Sequence, residues 1–355
     1  MNVPRSFSSR RAAMDPGPES VHPERLRALI TGAVDDLGLD LRDLTVVTEA
    51  ATGHFVLTAV IAACAGAARV FTVSRDSRFG TAAEAHAAVA LWRKRLGAPD
   101  RIVPVKRLDA STLAQADLVT NLGWVRPLDA AKVKSLREGR AIAAMCEAWE
   151  LRPDDIDLRA CAARGVGVGA VNEDHPAVDV FEHNGLLAVT MLHALQVEVH
   201  GTRIAVAGEG KFASRIAASL SRLGAEVRRA PTLAGDRAGW ALENADALVV
   251  ADYTRGDLML GRRGELTVEA LQKRAPHAAV VQFAGWVRAG ELRAAGVPVF
   301  PEEEIGPHRM GRTMAFLGPA PLVGLHAAGL LAGAMLLGRP GPEGLLQPVG
   351  RTERA

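Results

Sequence analysis

The feature that most constrains the fold is a glycine turn that joins an apolar run to a helical pattern. The apolar run, residues 204–207, predicts a buried strand. The turn carries Gly208, Gly210, Lys211, Phe212 and Ala213. In a dinucleotide-binding fingerprint the first glycine permits the tight turn, the second admits a pyrophosphate, and a small third residue lets helix and strand pack closely. A turn that is tight only for packing is the alternative.

Composition limits the class of protein. A chain of 355 residues with 48% hydrophobic residues is long enough for two domains with separate cores. A net charge of +2, without blocks of like charge, gives no reason to expect binding to nucleic acid or to a membrane surface. The spacing of His, Cys, Asp and Glu suggests no metal site, and three cysteines without a CxxC pair suit reduced core residues. We therefore expect a cytoplasmic protein.

Apolar strands alternate with helical patterns along most of the chain, which predicts an α/β fold with parallel sheets. We expect two Rossmann-like, doubly wound domains with a cleft between them, where ligand sites commonly lie. The predicted substrate domain covers residues 23–177 and is completed by a C-terminal helical region at 314–340. The predicted dinucleotide-binding domain covers 178–313 and begins with a long helix at 178–195. Residues 1–22 and 341–355 are expected to be tails.

The second half of the sequence resembles the D-isomer-specific 2-hydroxyacid dehydrogenases, with a two-domain architecture like that of formate and glycerate dehydrogenases. The resemblance begins near Leu108, runs in the same order over about 200 residues, and includes the glycine turn. A further matching segment, residues 306–313, contains His308 in Gly-Pro-His-Arg-Met-Gly-Arg-Thr. The resemblance implies the two-domain fold, an NAD or NADP cofactor, oxidoreductase activity on a small-molecule substrate, and a homodimer.

The resemblance also implies roles for individual residues. His308 takes the place of the family's acid/base histidine, and an imidazole suits that role because it titrates near neutral pH. Glu303 best fits the glutamate that orients the histidine, although Glu302 and Glu304 adjoin it and three carboxylates in a row are also common in a solvated turn. A surface or structural histidine is the alternative for His308.

The sequence departs from the family at the substrate side. The family's arginine follows a strand that here reads Val-Val-Gln-Phe-Ala and ends in Gly285 and Trp286. Without the guanidinium, two-point capture of a 2-oxo acid loses its main anchor. The loop that is glycine-rich in the family contains Glu147, Trp149 and Glu150. If these side chains face the cleft, they favour a cationic or amine-bearing substrate; if the glutamates point to solvent, they say nothing of it.

The cofactor side departs as well. NAD-binding fingerprints place a carboxylate about 20 residues beyond the first glycine, at the end of the second strand. Here that place falls near Arg228 and Arg229. Either arginine could meet a 2′-phosphate, which favours NADP slightly over NAD. If both are ordinary strand-end residues, the site has degenerated or binds another ligand.

Three polar positions follow predicted strands of the first domain. Glu49, Arg75 and Asn121 each stand where a parallel strand ends, the edge at which α/β sheets place their ligands. Solvated loops are the alternative.

Three function classes remain open from the sequence. The first is an NAD(P)-dependent dehydrogenase or reductase acting on a substrate other than the family's usual small anion, with an amine-bearing substrate as one option. The second is a non-redox hydrolase or lyase that holds NAD internally, and the third is a ligand-binding relative without catalysis. Fold resemblance alone does not separate them.

Overall fold

The computed structural model describes residues 17–77 and 79–350. The chain divides into two compact units, which we call unit 1 and unit 2. Unit 1 consists of Met1–Val180 and Gly318–Ala355, and unit 2 of Phe181–Leu317. The sequence-based boundaries, after 177 and 313, lie three and four residues earlier.

Unit 1 is built on a seven-stranded sheet whose order is β14-β6-β5-β4-β1-β2-β3. All pairs are parallel except that of β14 with β6. The strands are β1 Thr45–Glu49, β2 Arg69–Val73, β3 Ile102–Val105, β4 Leu118–Thr120, β5 Ala141–Ala143, β6 Gly167–Val171 and β14 Leu346–Pro348. Successive residues of β1 and β4 face opposite sides of the sheet, so Val46 packs in one core and Val47 in the other.

Helices cover both faces of this sheet. They are α1 Pro23–Leu37, α2 Leu57–Cys64, α3 Ala82–Arg95, α4 Ala110–Gln115, α5 Ala130–Ser135, α6 Leu158–Arg164 and α12 Pro319–Met335, with 3-10 helices at Pro18–Ser20, Gly53–Val56 and Ala148–Glu150. Residues of α1, α2, α3 and α12 share one core, and residues of α4, α5 and α6 share the other. Side-chain caps start several of them; α3 begins with a capping box between Thr81 and Glu84.

Unit 2 contains a parallel five-stranded sheet with the order β13-β11-β9-β7-β8 and a separate pair of strands, β10 and β12. The strands are β7 Arg203–Ala207, β8 Glu226–Ala230, β9 Ala247–Ala251, β10 Leu258–Leu260, β11 Ala279–Ala284, β12 Trp286–Val287 and β13 Val299–Phe300. The helices are α7 Glu182–Ala194, α8 Gly210–Arg222, α9 Gly235–Leu242, α10 Val268–Arg274 and α11 Ala289–Ala294, followed by a 3-10 helix at Met314–Leu317.

Several expectations about the chain ends and loops need correction. Residues 17–22 are ordered, because Pro18–Ser20 forms a 3-10 turn and His22 caps α1; the rest of the predicted N-terminal tail lies outside the described residues. The predicted C-terminal tail contributes β14, which pairs with β6. Helix α7 starts four residues later than expected, after a turn that ends at Phe181. Cys64, expected in the core, is exposed.

Across the part of the chain that the structure describes, no helix has both the length and the apolar character needed to cross a membrane.

Candidate functional site

The glycine turn of unit 2 has the geometry that the fingerprint requires. Strand β7 ends at Ala207, Gly208 has a φ of +137°, and α8 starts at Gly210 with a φ of +82°. A Cβ on Gly208 would lie 2.5 Å from the carbonyl oxygen of Ala251, so only glycine lets the turn approach β9 this closely. Ala213 is fully buried where α8 meets the sheet. The first amides of α8 therefore stand at the carboxyl end of the parallel sheet.

Lys211 and Phe212 follow Gly210, but they differ in role. Phe212 is buried and packs against the rings of Phe181, Tyr253 and Phe283 at centroid distances of 5.7, 5.8 and 5.7 Å. Lys211 lies on the surface of this cluster, with its ammonium 4.9 Å from the Phe181 ring. Phe212 anchors the turn, whereas Lys211 supplies a cation beside it.

Asp252 is a candidate site residue that sequence reasoning missed. Its carboxylate is fully buried directly after β9 and accepts hydrogen bonds from the Glu209 amide at 3.3 Å and the Thr254 amide and hydroxyl at 3.1 and 2.9 Å. It thereby ties the glycine turn to the loop after β9. The sequence did contain a signal for Asp252, because it is an acidic residue directly after the fully apolar strand β9.

The two arginines at the end of β8 have different surroundings. Arg228 donates from Nε and Nη2 to Glu226 at 3.0 and 2.7 Å, and from Nη1 to the carbonyls of Trp240 and Glu243 at 3.1 and 3.3 Å. Its guanidinium also stacks on the Trp240 ring. Arg229 is exposed, and β8 ends one residue later without a carboxylate. Arg228 is thus held by the protein, which leaves Arg229 for an external anion.

His308 lies in the loop that follows β13. Its φ is +55°, an uncommon backbone conformation outside glycine. Its Nδ1 is 3.0 Å from the carbonyl oxygen of Tyr253. Because a carbonyl can only accept, Nδ1 carries the proton in this contact, and in the neutral ring Nε2 holds the lone pair. A backbone carbonyl therefore fixes the tautomer of this imidazole.

Glu303 contacts an arginine. Its Oε1 is 2.5 Å from Nη1 of Arg312, which is 6% exposed and stacks on the rings of Phe300 and Phe316 at 4.9 and 5.8 Å. Gln282 holds the same loop by donating to the Glu303 carbonyl at 2.8 Å. Glu304, next in the chain, lies 3.7 Å from Arg288. Sequence reasoning missed Arg312, which stands between Gly311 and Thr313 in the segment that carries His308.

In unit 1, Glu49 ends β1 and is 5% exposed. One carboxylate oxygen, Oε2, accepts a hydrogen bond from the Trp124 amide at 3.0 Å, in the loop after β4. Burial raises the pKa of this carboxyl to about 7, which the Trp124 amide and the charge of Arg126 only partly offset. Glu49 therefore titrates near neutral pH.

The loop after β5 forms a local cluster. Glu147 is 1% exposed; it accepts from the Trp149 indole at 2.9 Å, from the Glu173 amide at 3.1 Å and from Gln347 of β14 at 3.3 Å. The Glu150 carboxylate accepts from the Glu147 amide at 3.1 Å. Glu147 thus does not point to solvent, and these contacts tie the loop to the C-terminal strand.

The other two rim residues also differ from each other. Asn121 is buried, and its Oδ1 accepts from the Met145 amide at 2.9 Å, so it joins the ends of β4 and β5. Arg75, one residue beyond Ser74 at the end of β2, is exposed. Among the described residues, no group of three or more His, Cys, Asp or Glu side chains is arranged to hold a metal ion.

No family model and no curated protein matches the sequence. The chain is similar to the solved structure of one of the subunits of dipicolinate synthase from Bacillus halodurans, with 13% identity, a TM-score of 0.52 and coverage of 85% of this chain and 100% of that one. Dipicolinate synthase from Bacillus subtilis matches at 12% identity and a TM-score of 0.49, covering 85% of this chain and 98% of that one.

Solved 2-hydroxyacid dehydrogenases are also among the structures that the chain resembles. The enzyme from Ketogulonicigenium vulgare matches at 14% identity and a TM-score of 0.45, with 79% of this chain and 98% of that chain covered. The match to the Bacillus halodurans structure confirms the predicted α/β class with two Rossmann-like domains. The chain therefore shares its fold with that dipicolinate synthase.

Proposed function

We propose that the chain is an NAD(P)-dependent oxidoreductase that acts on a small, amine-bearing substrate. The observation that carries this proposal is the strand–turn–helix at Gly208, where the backbone approaches β9 at a distance that excludes any side chain. Amides at the start of α8, at the carboxyl end of a parallel sheet, suit a pyrophosphate. A bound nicotinamide would supply the hydride acceptor or donor.

NADP is the proposed cofactor in preference to NAD. Strand β8 ends at Ala230 and is followed by Pro231, so no carboxylate stands where NAD-binding sites hold the ribose hydroxyls. Arg229 is exposed at this strand end and offers a guanidinium for a 2′-phosphate.

His308 is the proposed acid/base group. The Tyr253 carbonyl holds its Nδ1 proton, so the Nε2 lone pair can accept a proton from the substrate and later return it. We keep Glu303 as a positioning candidate for this histidine. Because its carboxylate contacts Arg312, it would act through the shape of the loop that carries His308.

The proposed amine rests on two departures from a 2-oxo acid site. A Cβ at Gly285 would lie 2.9 Å from Sδ of Met259 and 3.1 Å from the Asp252 carbonyl, and φ is +105°, so an arginine has no room there. Glu49 also places a buried carboxylate at the end of β1. Dipicolinate, after which the similar synthase is named, is itself a nitrogen-containing ring with two carboxylates.

We further infer a homodimer in the cytoplasm. Two leucines of unit 2, Leu186 on α7 and Leu223 after α8, expose 53% and 45% of their surface, which suits contact with a second copy of the chain. Light scattering after size exclusion should give twice the chain mass; a monomer at micromolar concentration would refute the dimer.

The test of the proposed function is a fluorescence titration of the full chain with NADPH and NADH. We expect NADPH to bind more tightly, by about tenfold, and Arg229→Ala to remove that difference, since a charge-assisted phosphate contact contributes about 1.5–3 kcal/mol. Arg263→Ala, another exposed arginine of unit 2, is the matched control and should change nothing.

Binding of neither nucleotide, with none released on denaturation, would refute the proposal. A second variant separates the function classes. His308→Ala should keep NADPH affinity and lose turnover of an amine substrate; a ligand-binding protein without catalysis has no turnover to lose. A net change in nicotinamide absorbance during turnover distinguishes an oxidoreductase from a lyase or hydrolase with internal NAD.

A further inference from the structure

The centre of the unit 1 sheet is a topological switch point. Strand β1 lies between β2 and β4, and the chain proceeds outward from it in both directions. The helix after β1, α2, packs in one core, whereas the helix after β4, α5, packs in the other. The connections therefore leave on opposite faces of the sheet, and we call the region between them, at the carboxyl ends of β1 and β4, the crevice. Doubly wound sheets bind ligands at this place.

Glu49 stands in this crevice. Its Oε2 bridges to the Trp124 amide of the β4 loop at 3.0 Å, so the side chain spans the two diverging connections. Within residues 17–77 and 79–350, no cationic side chain forms an ion pair with it; Arg126, the cation nearest in effect, is paired with Asp155 at 3.3 Å. A buried carboxylate with one hydrogen bond has most of its accepting capacity unused.

The loop after β4 lies close over this carboxylate. Gly123 lies over it, and a Cβ at that position would be only 3.0 Å from Oε2. Two more buried polar side chains have unused groups: Ser74 directly after β2, and His54 in the 3-10 helix that follows β1. The Ser74 hydroxyl and both ring nitrogens of His54 lack hydrogen-bond partners among the described residues. Buried polar groups without partners are costly to a fold, and a ligand that satisfies them recovers that cost.

Positive charge stands at the rim of the crevice. Arg75 follows Ser74 in the chain. It lies close enough to Lys132 of α5, on the β4 side, for the two positive charges to repel each other. The Lys132 ammonium is held by the carbonyls of Val125 and Pro127. Of these two cations, exposed Arg75 is the one able to turn toward a ligand carboxylate. The crevice thus combines the buried hydrogen-bond acceptor Glu49 with the exposed cation Arg75.

We propose that Glu49 binds the nitrogen of a ring amine that also carries a carboxylate, with Arg75 at the rim receiving the carboxylate. The ammonium N–H donates to Glu49; when the proton transfers, the N–H bond breaks, an O–H bond forms on the carboxylate, and a neutral amine remains. The proposal rests on the proposed function, because it names the substrate class of that oxidoreductase.

The experiment compares two probes that differ in one group. Pipecolate has a ring nitrogen and a carboxylate, whereas cyclohexanecarboxylate keeps the carboxylate and replaces the nitrogen by carbon. Calorimetric titration of the full chain at pH 8 should show pipecolate binding about tenfold more tightly, the scale of one charge-assisted hydrogen bond. Glu49→Gln should abolish the difference, and Glu138→Gln, an exposed glutamate of unit 1, should preserve it.

Gly123→Ala is a second variant that keeps the charge. Its methyl group would press on Oε2 and should weaken pipecolate binding while leaving cyclohexanecarboxylate unchanged. The proposal is overturned if the wild type binds the two probes equally or binds neither, or if Glu49→Gln retains the preference. NADPH titration of the same samples keeps the two proposals apart, because cofactor binding without amine preference refutes only the role of Glu49.

Discussion

At the residue scale, two buried ionisable side chains distinguish this chain. Among the described residues, the Trp124 amide is the hydrogen-bond partner of Glu49, and burial raises the pKa of that carboxyl to about 7. Arg312 is sandwiched by two phenylalanine rings and paired with Glu303. Buried charges of this kind cost stability unless they are compensated, so their energetics can be measured separately from any activity.

Glu49 should make stability depend on pH. Its pKa is about 7 in the folded chain against an ordinary value of 4.5, so its contribution to stability is complete below pH 4.5 and is lost as pH rises through 7. Glu49→Gln does not titrate. Its stability relative to the wild type should therefore increase by about 3 kcal/mol between pH 4 and pH 8. Urea unfolding at the two pH values measures this, and an unchanged difference would refute the raised pKa.

Arg312→Met should destabilise the chain by about 2 kcal/mol, because it removes a buried ion pair while keeping an unbranched side chain between the rings. Arg309→Met, an exposed arginine three residues earlier, should stay within about 0.5 kcal/mol of the wild type. Urea unfolding of both variants checks the comparison. Equal stabilities would mean that the Glu303 contact contributes nothing.

At the scale of elements, one residue in the turn from β7 to α8 and one residue in helix α12 make close contacts that substitution can test. Gly208 determines how closely the turn approaches β9, as its missing Cβ shows. In α12, buried His326 places Nδ1 2.6 Å from the Thr58 hydroxyl of α2, which joins the two helices. The Gly208 turn belongs to the proposed nucleotide site, and the His326 contact belongs to the core of unit 1.

Gly208→Ala should remove NADPH binding and lower stability by about 2–4 kcal/mol, because its methyl would meet the Ala251 carbonyl at 2.5 Å in a strained backbone conformation. The matched control is Gly296→Ala, which has a φ of +74° but open space around a Cβ. It should cost about 1 kcal/mol and leave NADPH affinity unchanged. Retained affinity in Gly208→Ala would place the nucleotide elsewhere.

His326 should produce the opposite pH dependence to Glu49. Burial lowers its pKa to about 4 from an ordinary value of 6.5, so its contribution is present above pH 6.5 and is lost as pH falls through 4. Between pH 7 and pH 4 the wild type should lose about 3 kcal/mol relative to His326→Gln. Chemical denaturation of both proteins at the two pH values tests this; parallel curves would contradict a neutral buried imidazole.

At the scale of the whole molecule, regular alternation and local motifs were predictable from the sequence. The Gly208 turn, the parallel sheets and the long apolar helix at the C-terminal side depend on residues close together in the chain. Contacts between residues that are far apart in the sequence were not predictable. Glu147 is held by Gln347, 200 residues away, and a strand in the expected C-terminal tail completes the unit 1 sheet. Sequence spacing carries no signal for such pairings.

The proposed catalytic residues show the same limit. His308 was a candidate because of its sequence segment, but its hydrogen bond to Tyr253 and the pairing of Glu303 with Arg312 depend on how two loops meet β11. The orienting role of Glu303 therefore stays a prediction, as do the substrate roles of Trp149 and Glu150.

The central claim is that a nicotinamide nucleotide binds at the glycine turn of unit 2. Hydrogen–deuterium exchange of the full chain, measured with and without saturating NADPH, tests it most directly, because it reports which backbone amides the ligand protects. We expect slower exchange at residues 208–214 and at the end of β8, near Arg229. Unchanged exchange at the turn, or protection confined to unit 1, would contradict the claim.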